Sequence, residues 1–170
     1  MLTLIIGGSA SGKSEYAENL VMAQPGPHVY LATMEPWGEE GAARVIKHRQ
    51  ARSGRNFITV ERYAALNGLT LTPGTSILLE DLGNLTANEL FRPEGGGEDA
   101  VRRGIIHLKR QCSNLTVVSN EVFTGGQDYE RDTLHYLKVL AETNRWLASE
   151  ADCVVEVVCG LPDVWKGALP

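Results

Sequence analysis

A short apolar run at the start of the chain breaks into a glycine-rich turn and then into a helical pattern. The run covers residues 2–6, and residues 7–14 read Gly-Gly-Ser-Ala-Ser-Gly-Lys-Ser, which matches the phosphate-binding pattern G-x-x-x-x-G-K-[ST]. Residues 15–23 continue with apolar residues at helical spacing. A chance match to the pattern needs neither a strand before it nor a helix after it, whereas a phosphate-binding loop needs both. The segment therefore predicts a buried parallel strand, a tight loop and a helix that together bind the phosphates of a nucleotide.

Every residue of this loop is a candidate nucleotide contact. The set is Gly7, Gly8, Ser9, Ala10, Ser11, Gly12, Lys13 and Ser14. A triphosphate needs many donors at short range, and a glycine-rich turn lets successive backbone N–H groups converge on it without Cβ clashes. We expect the Lys13 ammonium against the outer phosphates, in a catalytic role, and the Ser14 hydroxyl on a bound Mg²⁺. The N-terminus of the following helix adds partial positive charge.

Length and charge narrow the class of protein. The 170 residues suit a single domain over residues 1–170, and a formal net charge of −5 argues against a nucleic-acid partner, which would need a basic surface. No apolar stretch approaches the length of a membrane span, and no charged leader precedes the first strand, so we expect a soluble, cytoplasmic protein.

The three cysteines, Cys112, Cys153 and Cys159, lack C-x-x-C spacing, which predicts reduced, buried thiols.

Apolar segments and helical patterns alternate along the chain. Strands are predicted over residues 2–6, 28–33, 57–61, 76–80, 115–120 and 154–159. Helices are predicted over residues 13–23, 40–53, 84–91, 98–112 and 129–150, and the glycine-rich residues 92–99 are predicted to be a mobile loop. This alternation predicts an α/β fold with a mostly parallel sheet flanked by helices.

Polar residues follow several of the predicted strands. Ligands of an open parallel sheet gather at the carboxyl ends of its strands, so these residues are candidates for the site. Glu80, which closes the fourth strand, is a candidate Mg²⁺ ligand, although a capping or loop carboxylate is the alternative. For Asp81 we favour a helix cap, and Glu121 is left without an assignment.

A histidine lies in a charged stripe of the predicted helix 40–53. Glu40, Arg44, His48 and Arg52 recur every four residues, opposite an apolar face. Two guanidinium groups can neutralise a polyphosphate while an imidazole nitrogen attacks phosphorus or moves a proton. His48 is therefore a candidate catalytic residue, and a solvated charged face with a Glu40–Arg44 pair is the alternative.

Several sequence blocks together resemble the bifunctional adenosylcobinamide kinase/adenosylcobinamide-phosphate guanylyltransferase family of cobalamin assembly. The blocks are the phosphate loop, Tyr-Leu-Ala-Thr at 30–33, Glu-x-Ala-Ala-Arg-x-x-x-His at 40–48, Ile-Leu-Leu-Glu at 77–80, Asn-x-x-Phe at 88–91, Val-Ser-Asn-Glu-Val at 118–122 and Asn-Arg-x-Leu-Ala at 144–148. The resemblance implies a P-loop NTPase-type, RecA-like fold. It also implies a homotrimer.

The resemblance implies two reactions in one chain. In the first, ATP or GTP gives its γ-phosphoryl group to adenosylcobinamide, with Mg²⁺ as cofactor. In the second, His48 takes GMP from GTP and passes it to adenosylcobinamide phosphate. The nucleotide contacts implied outside the loop are Ala32, Thr33, Met34, Arg49, Gln50, Ala51, Arg52, Glu61 and Glu80.

Two other functions remain open at this point. One is a different phosphate-loop kinase in which His48 is a plain anion contact. The other is a GTP-binding switch, which we disfavour because the sequence has neither an Asn-Lys-x-Asp element nor an Asp-x-x-Gly element.

Overall fold

A computed structural model of the chain describes residues 1–36, 54–123 and 128–169. In these residues the strands are β1 (Leu2–Gly7), β2 (His28–Ala32), β3 (Phe57–Glu61), β4 (Ser76–Glu80), β5 (Asn114–Asn120), β6 (Cys153–Val158) and β7 (Leu161–Lys166). The helices are α1 (Lys13–Met22), α2 (Leu82–Phe91), α3 (Ala100–Gln111) and α4 (Arg131–Glu150), with a short 3₁₀ turn at Leu66–Gly68. The predicted helix 40–53, and with it His48 and residues 49–52, lies outside the described residues.

The strands form one mostly parallel sheet, as predicted. The order of the seven described strands is β3-β2-β4-β5-β1-β6-β7, and each neighbouring pair is parallel except β6 and β7. Strand β5 lies between the strand that leads into the phosphate loop and the strand that ends in Glu80. The carboxyl ends of β1, β5 and β4 therefore face one common edge.

Helices cover both faces of the sheet. Apolar side chains of the strands pack on one face against α2, α3 and α4, and this cluster includes Leu4, Leu31, Leu79, Val117, Leu85, Ile105 and Leu140. On the other face α1 packs through Ala17 and Val21 against Ile5, Tyr30, Leu78, Val118 and Val155. Burial on both sides explains why these strands are near-continuous apolar runs.

The hairpin formed by β6 and β7 was not predicted. The turn residues Cys159 and Gly160 have φ angles of 51° and 80°, which fits a tight two-residue turn whose twist matches the paired strands. Every residue of β7 is exposed. Cys159 is also exposed, so the prediction of a buried thiol is wrong at this position, while Cys153 is buried and all three cysteines are free.

Helix α2 lies across the carboxyl edge of the sheet. The Asn88 side chain donates hydrogen bonds to the carbonyl oxygens of Thr33 (2.9 Å) and Tyr63 (3.0 Å), which follow β2 and β3. Glu89 is 1% exposed and accepts from the backbone N–H groups of Ala65 and Gly96. The bond from Gly96, together with a 3.0 Å bond from the N–H of Gly97 to the Glu89 carbonyl oxygen, joins the glycine-rich loop 92–99 to α2. The mobility of this loop stays a prediction.

Candidate nucleotide site

The phosphate loop has the backbone that its glycines permit. Gly12 has a φ angle of 90°, in the left-handed region that favours glycine. A Cβ on Gly7 would lie 2.6 Å from Oγ of Ser11 and 2.6 Å from the carbonyl oxygen of Val157, which is too close for any side chain. Glycine is therefore required at both ends of the loop, as the pattern predicts.

The turn between β6 and β7 packs against this loop. The N–H of Gly160 donates a 2.8 Å hydrogen bond to the carbonyl oxygen of Ser11. A Cβ on Gly12 would lie 3.0 Å from Cα of Gly160. The hairpin that sequence analysis missed is thus a direct support of the phosphate loop.

The Lys13 side chain folds back into the loop. Its Nζ donates a 3.0 Å hydrogen bond to the carbonyl oxygen of Gly8, and the residue is 7% exposed. An ammonium in this position can exchange the carbonyl oxygen for phosphate oxygens of a bound nucleotide with a small movement of a flexible side chain.

Ser14 and Glu80 lie in direct contact. The Ser14 hydroxyl donates a 2.6 Å hydrogen bond to Oε1 of Glu80. Burial raises the pKa of Glu80 to about 7. The Ser14 hydrogen bond and the Lys13 charge oppose this rise, and the Asp81 charge adds to it. The two side chains predicted to hold a metal ion are therefore brought together.

This pair fits Mg²⁺ by its chemistry. Oε2 of Glu80 is buried and has no hydrogen-bond partner among the described residues, so one carboxylate oxygen beside a hydroxyl is left without a donor. Mg²⁺ in nucleotide sites takes few protein oxygens and completes its shell with phosphate and water. Within the described ranges no group of three or more His, Cys, Asp or Glu could hold a metal ion by itself.

Asp81 links α2 to the end of β5. Its Oδ1 accepts a 2.6 Å hydrogen bond from the N–H of Asn84, so it caps α2 as predicted. Its Oδ2 accepts a 3.2 Å hydrogen bond from the side-chain amide of Asn120, which pairs in register with Gly7. Burial raises the pKa of Asp81, against the lowering effect of these hydrogen bonds. Asn120 is thus a site residue without a predicted role, although it lies at a strand end and within the Val-Ser-Asn-Glu-Val block of the family resemblance.

Other residues predicted to contact the nucleotide lie near one another at the carboxyl edge of the sheet. Ala32 is in register with Glu61 on one side and Glu80 on the other. Met34, two residues further on, is partly exposed. Glu61 is exposed and accepts a 3.1 Å hydrogen bond from the Tyr63 hydroxyl.

The backbone N–H, the hydroxyl and the carbonyl oxygen of Thr33 all form hydrogen bonds within the protein. The residue is fully buried, its N–H and hydroxyl donate to the carbonyl oxygens of Glu80 (2.9 Å) and Asp81 (2.7 Å), and its own carbonyl accepts from Asn88. Thr33 therefore joins β2 to β4 and α2, and its contact with nucleotide stays a prediction.

None of the described helices is both long and apolar enough to cross a membrane.

Comparison with known proteins gives a family. The family model described as cobinamide kinase / cobinamide phosphate guanyltransferase matches residues 3–164. The bifunctional adenosylcobalamin biosynthesis protein CobU of Escherichia coli (strain K12) is 32% identical in an alignment of 179 positions. The alignment covers 95% of this chain and 97% of that protein. The protein of the same name from Salmonella typhimurium is 32% identical over 178 residues, with the same coverage.

One solved structure is also similar. The P4 protein from bacteriophage phi6, in complex with ADP, aligns with 96% of this chain and 52% of its own, at 11% identity and a TM-score of 0.42. The match of the family model to residues 3–164 and the 32% identity over 95% of the chain show that this chain belongs to the cobinamide kinase / cobinamide phosphate guanyltransferase family.

Proposed function

We propose that this chain phosphorylates adenosylcobinamide with ATP or GTP and then transfers GMP from GTP to adenosylcobinamide phosphate, giving adenosyl-GDP-cobinamide. The observation that carries the proposal is the contact of Ser14 with Glu80 beside Lys13, in a chain of this family. The printed names of the curated relatives describe bifunctional proteins of adenosylcobalamin biosynthesis.

In the kinase step, the oxygen of the substrate alcohol attacks the γ-phosphorus and the hydroxyl proton passes to solvent. The bond to the β,γ-bridging oxygen breaks as the nucleoside diphosphate leaves. The Lys13 ammonium moves from the Gly8 carbonyl to the phosphate oxygens and stabilises the charge that shifts onto the leaving group. Ser14 and Glu80 would hold Mg²⁺, which would neutralise charge on the phosphates of the nucleotide.

In the guanylyl step, an imidazole nitrogen of His48 attacks the α-phosphorus of GTP, and pyrophosphate leaves. The phosphate of adenosylcobinamide phosphate then attacks the same phosphorus, and the imidazole is released. Covalent catalysis divides one transfer into two easier steps. Arg49 and Arg52 would neutralise the polyphosphate beside His48.

The nucleotide contacts outside the loop follow the edge of the sheet. Ala32, Glu61 and Glu80 lie at the ends of neighbouring strands, and Met34 lies two residues after β2. Gln50 and Ala51 would approach with the histidine segment. We also place the protein in the cytoplasm, where ATP and GTP are available.

We further propose a homotrimer. Strand β7 is a sheet edge with large apolar side chains exposed, including Leu161 at 73% and Trp165 at 69%. An exposed apolar edge strand is costly in an isolated subunit and is commonly covered by a partner. We assign β7 to the contact between subunits.

The proposal is tested by product analysis. Adenosylcobinamide is incubated with Mg²⁺ and ATP, GTP is then added, and the corrinoids are identified by mass spectrometry. We expect the phosphate after the first addition and adenosyl-GDP-cobinamide after the second. Formation of the phosphate alone would leave a small-molecule kinase without guanylyl transfer. No corrinoid product, with GTP hydrolysis stimulated by a protein partner, would instead support a switch protein.

A further inference from the structure

A groove runs between the outer side of α2 and the first turns of α4. Its volume is about 460 Å³, and it is lined by Ala87 and Phe91 of α2 and by Asp132, Thr133 and Tyr136 of α4. Phe91 is 51% exposed, although Leu82 and Leu85 of the same helix are fully buried and Leu90 is half-buried. The apolar core of the described ranges does not include the Phe91 ring, which is available to a ligand.

The inner end of this groove adjoins the nucleotide site. A Cβ built on Gly83 would lie 3.0 Å from the Tyr136 hydroxyl oxygen, 3.4 Å from the Asn120 amide nitrogen and 3.4 Å from Oδ1 of Asp81. Three polar atoms thus pack closely around this buried glycine. Tyr136 therefore belongs both to the groove lining and to the surroundings of Gly83 and Asp81. Because Asp81 follows Glu80 directly, the groove lies beside the strand end that carries the Ser14–Glu80 pair.

The groove combines two kinds of surface. Ala87, Phe91 and the ring of Tyr136 supply apolar and aromatic area, the exposed Asp132 and Thr133 supply hydrogen-bonding groups at the rim, and the Tyr136 hydroxyl supplies one at the inner end. Burial and the Asp81 charge raise the pKa of Tyr136 to about 12, so its hydroxyl stays protonated and can donate at neutral pH. A few polar groups around an apolar floor are typical of small-molecule sites.

We propose that this groove binds the corrin ring of the acceptor substrate and directs its hydroxyl-bearing arm past Tyr136 towards Ser14 and Glu80. The inference rests on the proposed function, because that function supplies a corrinoid acceptor. A corrinoid presents apolar ring faces and a rim of amide groups, which match the floor and the rim of the groove. A polyphosphate does not match this surface, because it would meet the carboxylate of Asp132 where it needs cationic groups.

The test compares two groove variants with a matched control. Phe91→Ala removes the exposed ring, and Ala87→Trp fills the groove from the same helix. Ile106→Ala truncates a side chain of α3 that is also exposed, at 41%, and lies outside the groove. Equilibrium dialysis measures cobinamide binding, and initial rates give KM for adenosylcobinamide and for ATP.

We expect both groove variants to weaken cobinamide binding and to raise KM for adenosylcobinamide by about tenfold or more, since an aromatic contact is lost or blocked. KM for ATP and labelling by GTP should stay within about twofold of the wild type, as should every constant of the Ile106→Ala control. Labelling by GTP needs no corrinoid, so it also reports whether each variant is folded.

Two results would overturn the groove as the corrinoid site. One is unchanged cobinamide affinity in both variants. The other is a change of oligomeric state in Phe91→Ala, seen by sedimentation, without a change in cobinamide affinity, because the groove would then be a subunit contact. Failure of the proposed function would give a different result, because the wild type itself would then neither bind nor phosphorylate the corrinoid. The assignment of the groove to a corrinoid would fail together with that function.

Discussion

The hydroxyl of Ser14 lies 2.6 Å from Oε1 of Glu80, and this hydrogen bond joins the first turn of α1 to the carboxyl end of β4. Since β5 separates β4 from β1, the contact spans the edge of the sheet at which nucleotides are bound in folds of this kind. The fold alone therefore brings together the two groups that we assign to Mg²⁺.

Replacing Ser14 by Ala should raise the Mg²⁺ concentration required for phosphorylation. The variant keeps the carboxylate of Glu80 but loses the hydroxyl ligand, and we expect the half-saturating Mg²⁺ concentration to rise by roughly tenfold, with a smaller change in KM for the corrinoid. Rates measured over a Mg²⁺ series test this. Ser113→Ala, at an exposed position before β5, is the control. Identical Mg²⁺ curves for Ser14→Ala and wild type would remove Ser14 from the metal site.

Glu80 should make the nucleotide-free protein less stable as the pH rises. Its pKa is about 7 in the folded chain against an ordinary value of 4.5, so between these values the folded state binds more protons than the unfolded state. The stabilisation from Glu80 is therefore fully present below pH 4.5 and is lost as the pH rises through 7, by roughly 3 kcal/mol in total.

Glu80→Gln isolates this effect. Without Mg²⁺ and nucleotide, the variant should gain free energy of unfolding relative to the wild type as the pH rises to 8, by urea denaturation at a series of pH values. A constant difference between the two proteins across that range would show that Glu80 titrates normally.

Two replacements of Asp81 distinguish its hydrogen bond to the N-terminus of α2 from the effect of its negative charge. Asp81→Asn keeps an oxygen that can accept the N–H of Asn84, whereas Asp81→Ala does not. We expect the Asn variant to be the more stable of the two by about 1 kcal/mol, the usual contribution of an N-cap side chain. Urea denaturation gives the difference. Equal stability of the two variants would mean that the cap on α2 contributes nothing.

Introducing a charge on β7 should dissociate the homotrimer that we propose. Trp165 is 69% exposed on the edge strand, and Trp165→Glu would place a carboxylate in the contact that we assign to this strand. Sedimentation velocity should show a smaller species for this variant, while Ile58→Glu on β3, exposed at 60%, serves as the control at the opposite edge. A trimer that survives Trp165→Glu would exclude β7 from the interface.

Lys13→Ala should abolish both reactions. Both need the triphosphate held in the loop, and loss of the ammonium removes charge stabilisation worth about a hundredfold or more in rate. The exposed Lys109 of α3 is the control, and Lys109→Ala should keep wild-type rates. Kinase and guanylyl transfer are assayed separately, and a Lys13→Ala protein with either activity intact would show that the loop serves only one of them.

Much of the fold could be predicted from local patterns. Strand β4 has the predicted bounds, because burial on both sides produces a continuous apolar run. The hairpin strand β7 gives no such signal, since all of its residues are exposed and Pro162 lies inside it, which an edge strand tolerates. The turn at Cys159 and Gly160, which supports the phosphate loop, was missed for the same reason.

The part of the site that lies at the carboxyl ends of the strands could be predicted from the sequence. The contact of Ser14 with Glu80 follows from the rule that the carboxyl ends of parallel strands meet at one edge. The bonds of Asn88 to Thr33 and Tyr63 depend on the path of α2 across that edge, which no local pattern encodes. The family resemblance is confirmed by the match over residues 3–164.

The most direct test of two reactions in one chain is incubation with GTP labelled at the α-phosphorus. We predict a covalent label on the wild type that is labile in acid and stable in alkali, as expected for a phosphoramidate. His48→Ala should carry no label and should still phosphorylate adenosylcobinamide. A label that persists in His48→Ala, or a loss of both activities together in that variant, would contradict the account.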